Sequence, residues 1–479
     1  MQNISKIIET INSEINKLVW GTPMLILILA VGIYFTIRLK FFQITKIRHI
    51  YNNTVKTLFK GKNSIQSTDK KGISQFQAIA TALAATIGTG SIAGVATAIT
   101  IGGAGAVFWM WVSAIVGMMT IYAENVLGIY FRKKNEKGEW TGGAMYYIQY
   151  GLNSKWLAVI FSIFCVCASF GMGNMVQANS VSTSLSQTYL LSPKITGIII
   201  AVIIGLIILG GIKRIGKVSA ILVPVISILY ILGTLVVIFA NIKIMPSIFK
   251  NIFNQALGLG AVAGGITGTV VKNAISMGVK RGVFSNEAGL GSSVAVHSVA
   301  DVKEPVIQGM WGIVEVFVDT IVVCTLTALV ILSGGALEEA SVTGLDGAPL
   351  VIESFKQVMG GFASHLVTFF IVVFAFATII GWEYIGEKAM EYIFGSRSIF
   401  IYRIIFVALV YFGSNMRMKL VWDISDTFNG LMAIPNLIAL AFLSPIVIKV
   451  TKNYMKRKSK KHGIEPMLSA FNKYNKDIR

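Results

Sequence analysis

Eleven apolar runs alternate with polar, charged stretches along the chain. They fall near residues 22–38, 76–99, 104–131, 156–185, 195–211, 218–240, 258–300, 309–333, 363–394, 398–413 and 421–449. Most approach the ~20 residues that a helix needs to cross hydrocarbon. The pattern therefore predicts an all-α polytopic membrane protein with eleven transmembrane helices. The run 258–300 is interrupted by Lys272, Lys280, Arg281, Asn286 and Glu287, and reads as a surface or re-entrant piece before a shorter span. Ahead of the first run, Ile4, Ile7, Ile8, Ile11, Ile15 and Leu18 recur at helical spacing among polar residues. Residues 1–20 are thus expected to form an amphipathic surface helix, with no cleavable leader. A transmembrane domain over 21–450 and a basic tail over 451–479 complete the organisation.

Loop charge predicts the orientation. Residues 40–71 carry eight Lys/Arg against one Asp, residues 132–155 five against two acids, and the tail 449–479 ten against two. Lys213, Arg214 and Lys217 fill a short turn, whereas 334–362 holds four acids and only Lys356. Eleven crossings put all the basic stretches on one side and 334–362 on the other. Basic loops face the cytoplasm, so the N-terminus is expected outside and the C-terminus inside the cell (plasma) membrane.

Composition agrees. Hydrophobic residues make up 54% of 479 and charged residues 13%, with mean hydropathy +0.70. Net charge is 42 − 22 = +20. Those basic residues sit mainly in loops and the tail, which points to anionic lipid at the cytoplasmic face rather than to nucleic acid. Cys165, Cys167 and Cys324 lie in apolar runs without metal spacing, so free thiols are expected. The four histidines are scattered, and neither a nucleophile elbow nor a phosphate loop is present, which argues against a hydrolase or an ATP-driven pump.

Within the run Phe76–Ile101, Gly88, Gly90 and Gly94 interrupt good helical sequence. Taken alone, such glycines serve equally as a close-packing helix face or as a break at the bilayer midplane. A break leaves backbone groups that only protein or a watery cavity satisfies. The stretch has a counterpart. Gly88-Thr89-Gly90-Ser91 resembles Gly289-Leu290-Gly291-Ser292, each followed by small residues, and Trp111 and Trp311 follow 21 and 20 residues after Gly90 and Gly291. Five spans separate the two, an odd number, so the halves run in opposite directions. This is an inverted repeat, with a first half of about 76–240, a second of about 258–449, and the 22–38 helix extra. Paired broken helices in such a repeat mark a binding site. N–H groups after a break favour a carboxylate, and carbonyls before it favour a hard cation. The physics reaches a cation-coupled transporter of a small carboxylate-bearing solute. Glu124, Glu287, Glu315, Asp319, Glu383, Glu387 and Lys388 lie within spans, with Asp423 and Asp426 at a helix start. Such residues are functional candidates; Glu124 and Glu287 also suit structural hydrogen bonds, and Asp423 and Asp426 a cap.

At these residues the sequence resembles the alanine or glycine:cation symporter family, the sodium:alanine symporters. The resemblance rests on Gly88–Ile99, Gly102–Trp111, Arg281–Ser292 with its Phe-Ser-Asn-Glu-Ala-Gly-Leu-Gly run, and Thr378-Ile-Ile-Gly-Trp382 with Gly386-Glu387. Ser91 and Ala104 stand where the family usually has Asn and Pro. The resemblance implies a leucine-transporter-type fold of five-plus-five inverted helices plus one extra N-terminal helix. It implies a Na⁺-coupled importer of small neutral amino acids, alanine with glycine or serine. Thr89, Gly90 and Ser91 would offer N–H groups to the carboxylate, and Gln177 would hydrogen-bond the substrate. Phe284, Ser285 and Asn286 would line the amine and side-chain end, while Thr378 and Gly381 would close the pocket. The carbonyls of Ala84, Ile87 and Phe374 with the Thr378 hydroxyl would hold Na⁺. Gln177 also suits a plain interhelical hydrogen bond, Thr378 a bond back to its own helix, and Phe284 simple packing. Proton coupling through Glu124 or Glu315, and an amino-acid sensor without net transport, are the alternative functions. Oligomeric state is left open.

Overall fold

A computed structural model describes residues 2–60, 72–136, 138–208, 211–258, 266–459 and 464–471. Parts of the basic loop (61–71), of the interrupted run (259–265) and of the tail (460–463 and 472–479) lie outside the described residues. The principal helices are α1 (Gln2–Val19), α2 (Thr22–Arg38), α3 (Gln75–Thr86), α4 (Val95–Gly102), α5 (Gly105–Tyr130), α6 (Lys155–Phe170), α7 (Val176–Tyr189), α8 (Pro193–Ile208) and α9 (Gly211–Ala240). They continue with α10 (Met245–Leu257), α11 (Ile266–Asn286), α12 (Pro305–Val316), α13 (Thr325–Ser333), α14 (Gly347–Met359), α15 (Phe362–Phe394), α16 (Ser398–Asn415) and α17 (Met418–Lys458). Among the described residues the named elements are helical apart from a two-stranded antiparallel hairpin, which pairs Lys133 with Thr141 and Lys134 with Trp140 in the loop after α5.

Among the described residues, seven helical segments are long and apolar enough to cross a membrane, or nine if each of two bent pairs is one span. One bent pair is α3 with the segment Gly90–Gly102, turned by 48°; the other joins Glu9–Val19 to α2 at 42°. Two of the eleven apolar runs fall short of that criterion for visible reasons. Helix α8 has only 16 residues, and α11 carries Lys272, Lys280 and Arg281 along 21 residues.

Local sequence explains the helix that leads into the first break. Ser74 caps α3 by accepting from the Gln77 backbone N–H at 3.1 Å, and the Gln77 side chain accepts from the Ser74 N–H at 3.0 Å. This reciprocal box satisfies two N–H groups that a helix start leaves over. Helix α5 packs against α11 and α12, α15 packs against α3 and α6, and α1 lies along α17. The breaks are therefore surrounded by protein on every side.

The end of α1 is bound into the bundle. Asn16 donates to the Asp423 carbonyl at 3.0 Å, and Trp20 donates to the Asp426 carbonyl at 2.7 Å. Beside them Asp426, fully buried, accepts a two-pronged pair from Arg281 at 3.0 and 3.1 Å and a third contact from Lys280 at 2.8 Å. Removing one partner of a buried ion pair costs about 3–5 kcal/mol, because the other charge is stranded. Asp426→Asn strands two cations, so its thermal unfolding in detergent is expected to show that full loss. Arg281→Gln is expected to lose less, because Lys280 remains; equal losses would contradict the three-body arrangement.

Candidate functional site

The first break runs from Ile87 to Thr89. Ile87 leaves the helical conformation at φ −76°, ψ 84°, with its N–H still held by the Leu83 carbonyl. Thr89 N–H and the Thr89 hydroxyl both donate to Gln177 Oε1, at 3.1 and 2.9 Å, while Gln177 Nε2 donates to the Met172 carbonyl at 3.0 Å. Gly90 and Ser91 open the segment beyond the break, where no preceding turn supplies acceptors for their N–H groups. Chain direction resumes through a π turn, Gly90–Gly94, leading into α4. Two further π turns occur, Gly171–Met175 ahead of α7 and Phe317–Cys324 after α12. Such turns cluster at functional positions, and here all three border one buried polar region.

Glycine at position 88 is a matter of space. A Cβ there would overlap Thr378 Oγ1 and lie 3.2 Å from Gln177 Oε1. Thr378 in turn donates to the Ala84 carbonyl at 2.8 Å, reaching across from α15 to α3 rather than bonding back within its own helix. Gly381, one turn on, lets α15 approach Ala85, where a Cβ would meet backbone nitrogen at 3.1 Å. Phe374 lies one turn before Thr378, fully buried like Ile87 and Ala84.

The second break follows α11. Glu287 takes a left-handed conformation at φ 59°, and Gly289 and Gly291 follow at 93° and 73°. Its backbone is held by distant side chains. Glu124 accepts from Gly291 N–H at 3.1 Å, Asn436 donates to the Gly289 carbonyl at 2.9 Å, and Tyr147 bonds Asn436. Glu287 accepts from Ser292 at 2.5 Å and from the Trp382 indole at 2.8 Å. Glu124 and Glu287 are thus committed to loop geometry.

The two breaks meet through hydroxyl groups. Ser91 Oγ lies 2.9 Å from Ser285 Oγ and donates to Asp319 Oδ1 at 2.6 Å. Ser285 reaches both Asp319 oxygens, at 2.9 and 2.8 Å, and Thr320 donates to Oδ2 at 2.8 Å. Asn286 donates to Thr320 at 3.0 Å and accepts from Ala288 N–H at 3.0 Å. Phe284 covers Gly90, whose Cβ would stand 3.1 Å from the ring, and packs tilted against Trp422 with centroids 4.9 Å apart. The structure therefore brings Thr89, Gly90, Ser91 and Gln177 together at one break, joins Ser285 and Asn286 to it through Asp319 and Thr320, and sets Thr378 against Ala84 behind Gly88. Asp319 and Trp422 were not marked as site residues by the sequence. Asp319 was visible there as an intramembrane charge; its partners stand 228 and 34 residues away, which no local pattern reports.

Two broken helices converging on a buried polar site in an all-helical bundle define a secondary transporter of the leucine-transporter type. The solved structure of MhsT in complex with L-phenylalanine aligns with 80% of this chain and 99% of its own at a TM-score of 0.56 and 12% identity. The chain belongs to the sodium:alanine symporter family, whose model matches residues 5–469. The sodium/alanine symporter AgcS of Methanococcus maripaludis is 46% identical over 448 residues, 92% of this chain and 96% of its own. The amino-acid carrier protein AlsT of Bacillus subtilis is 37% identical over 466 residues, 96% of this chain and 95% of its own. The family is one of transporters, not enzymes.

Gly88→Ala tests the packing at the first break. Overfilling of this kind costs about 1–3 kcal/mol, which weakens affinity by about five- to a hundredfold. Binding of labelled alanine to the purified protein is expected to fall by that amount, with Gly90→Ala milder because a ring can yield. Unchanged binding in Gly88→Ala would mean that the Thr378–Gly88–Gln177 contact does not shape the site.

Proposed function

We propose that this chain imports small neutral amino acids, alanine foremost with glycine and serine, together with Na⁺ by alternating access. Its place is the cell membrane, with eleven crossings, five-plus-five inverted helices, the N-terminus outside and the C-terminus in the cytoplasm. The observation that carries the coupling is the oxygen set around Asp319. Glu124 takes only N–H donors, which cannot turn a lone pair toward a cation, and Glu287 takes one indole N–H and a single hydroxyl, that of Ser292. The oxygen-to-oxygen contacts of Asp319 are with three hydroxyls, Ser91, Ser285 and Thr320. A hydroxyl rotates to present oxygen, so carboxylate and hydroxyls together suit a hard cation. A buried carboxylate left without counter-charge is costly, and an entering Na⁺ supplies that charge.

The remaining roles follow from the breaks. The N–H groups of Thr89, Gly90 and Ser91 receive the substrate carboxylate, with Gln177 giving up its contact to Thr89 in favour of the ligand. Phe284, Ser285 and Asn286 border the amine, and Thr378 and Gly381 close the pocket from α15. The carbonyls of Ala84, Ile87 and Phe374 with the Thr378 hydroxyl form a neutral cation site. The Thr378–Ala84 contact at 2.8 Å supports it by setting two of these oxygens side by side. One positive charge entering across ~100 mV releases about 2.3 kcal/mol, enough for roughly a fiftyfold concentration ratio. Membership of a symporter family favours this reading over a sensor without transport.

In proteoliposomes, alanine uptake is expected to require an inward Na⁺ gradient, and Asn286→Ala and Gln177→Ala are expected to abolish binding. Uptake driven by a proton gradient and indifferent to Na⁺ would overturn the coupling. Asp319→Asn keeps the shape but removes the charge. The loss of one charged interaction, about 1.5–3 kcal/mol, is expected to raise the half-saturating Na⁺ concentration by about ten- to a hundredfold. An unaltered Na⁺ dependence would remove Asp319 from the coupling.

A further inference from the structure

The wall opposite the first break carries polar groups that its own fold leaves unused. Trp422, Ser425 and Asn429 are spaced three and four residues apart on α17, which puts them on one face. That face borders the site along its length. The Trp422 ring lies tilted against Phe284, with centroids 4.9 Å apart. At Gly171 a Cβ would stand 3.0 Å from the Ser425 Cα, so the π turn Gly171–Met175 presses against this face. Asn429 Nδ2 donates to Met172 Sδ at 2.9 Å, and the Met172 carbonyl accepts from Gln177, the partner of Thr89. Asn429 and Ser425 are fully buried, and neither Asn429 Oδ1 nor Ser425 Oγ has a hydrogen-bond partner.

Leaving a buried amide oxygen unsatisfied is costly, and an apolar residue would avoid the cost. The donor end of Asn429 is fixed by the sulfur, which leaves its oxygen as the free end. Met172 flanks Asn429 and Trp422 lies one turn before Ser425 on the same face. The geometry points to a polar subsite, Asn429 Oδ1 with Ser425 Oγ, that takes the side-chain hydroxyl of a serine-like amino acid. The inference rests on the proposed amino-acid import and names a second substrate feature recognised by it. Alanine leaves the subsite unfilled; serine donates its hydroxyl to Asn429 Oδ1.

L-2-Aminobutyrate places a methyl where serine has its hydroxyl and is nearly the same size, so the pair isolates the hydrogen bond. Competition against labelled alanine uptake in proteoliposomes is expected to show serine inhibiting about tenfold more strongly than 2-aminobutyrate, the worth of one buried hydrogen bond. Asn429→Leu is expected to abolish or reverse that preference, and Ser425→Ala to reduce it. The ratio is taken within each variant, so a general loss of activity cancels; if Asn429→Leu fails to insert, Ser425→Ala decides. Equal inhibition by the two compounds in an alanine-transporting wild type, or a preference that survives in the variants, overturns the subsite alone. A wild type without Na⁺-driven alanine uptake overturns instead the import reading beneath it.

Discussion

A helix interrupted inside hydrocarbon must have its freed N–H and C=O groups met by protein, and much of this molecule answers that constraint. At the first break, Gln177 satisfies Thr89 from a different helix. At the second, Glu124 satisfies Gly291 and Asn436 satisfies Gly289. These side chains come from α5, α7 and α17, so the breaks dictate which helices lie beside them and which residues face inward. The glycines serve the same end from the other direction. Gly88 and Gly381 let α3 and α15 approach until the Thr378 hydroxyl reaches the Ala84 carbonyl.

Buried charge is handled in three ways besides Glu315, whose Oε2 meets His297 Nε2 at 2.9 Å while its Oε1 has no partner among the described residues. Asp426 is matched by Arg281 and Lys280, and Glu383 and Glu387 are matched by Arg403 at 3.0 and 2.6 Å. Glu124 and Glu287 are spent on loop geometry through N–H and hydroxyl donors. Asp319 is surrounded by rotatable hydroxyls at the junction of both breaks. The first two arrangements hold the frame, although Arg281 Nε and Glu383 Oε2 are left without a hydrogen-bond partner among the described residues. The third sets a buried carboxylate among hydroxyls with no cationic side chain bonded to it among the described residues.

The breaks were legible in the sequence because glycines in an apolar run violate helix preference in a place where violation is expensive. The run from Phe284 to Gly291 was legible as a second instance. What the sequence did not place was Asp319 among the serines, since hydroxyl partners at positions 91 and 285 carry no local sign of meeting. Trp422 and Asn429 sit in an ordinary apolar run, and only the packing of α17 against the breaks gives them a part. Helix α1 reads in the sequence as an amphipathic segment on the membrane surface. The contacts of Asn16 and Trp20 with α17 depend on tertiary fit that periodicity does not encode.

The placement of Asp319 bears on how coupling is built. Ser91 belongs to the segment after the first break, Ser285 to the end of α11 before the second, and Asp319 to the π turn after α12. A cation held among them contacts both broken helices at once. A ligand shifts a conformational equilibrium only by its differential affinity for the two states. If the proposed transport cycle opens the site by moving either broken helix, one of these oxygens would move with it, and a cation would bind best to the closed arrangement. A substrate carboxylate at the Gly90 and Ser91 N–H groups would add its own charge to the same closed form. Under the proposed coupling, ion and amino acid would then favour one state together. Ser91 is shared between the two sites: its hydroxyl donates to Asp319 at 2.6 Å, and in the proposed binding mode its N–H would meet the solute carboxylate, so one residue would link the two ligands.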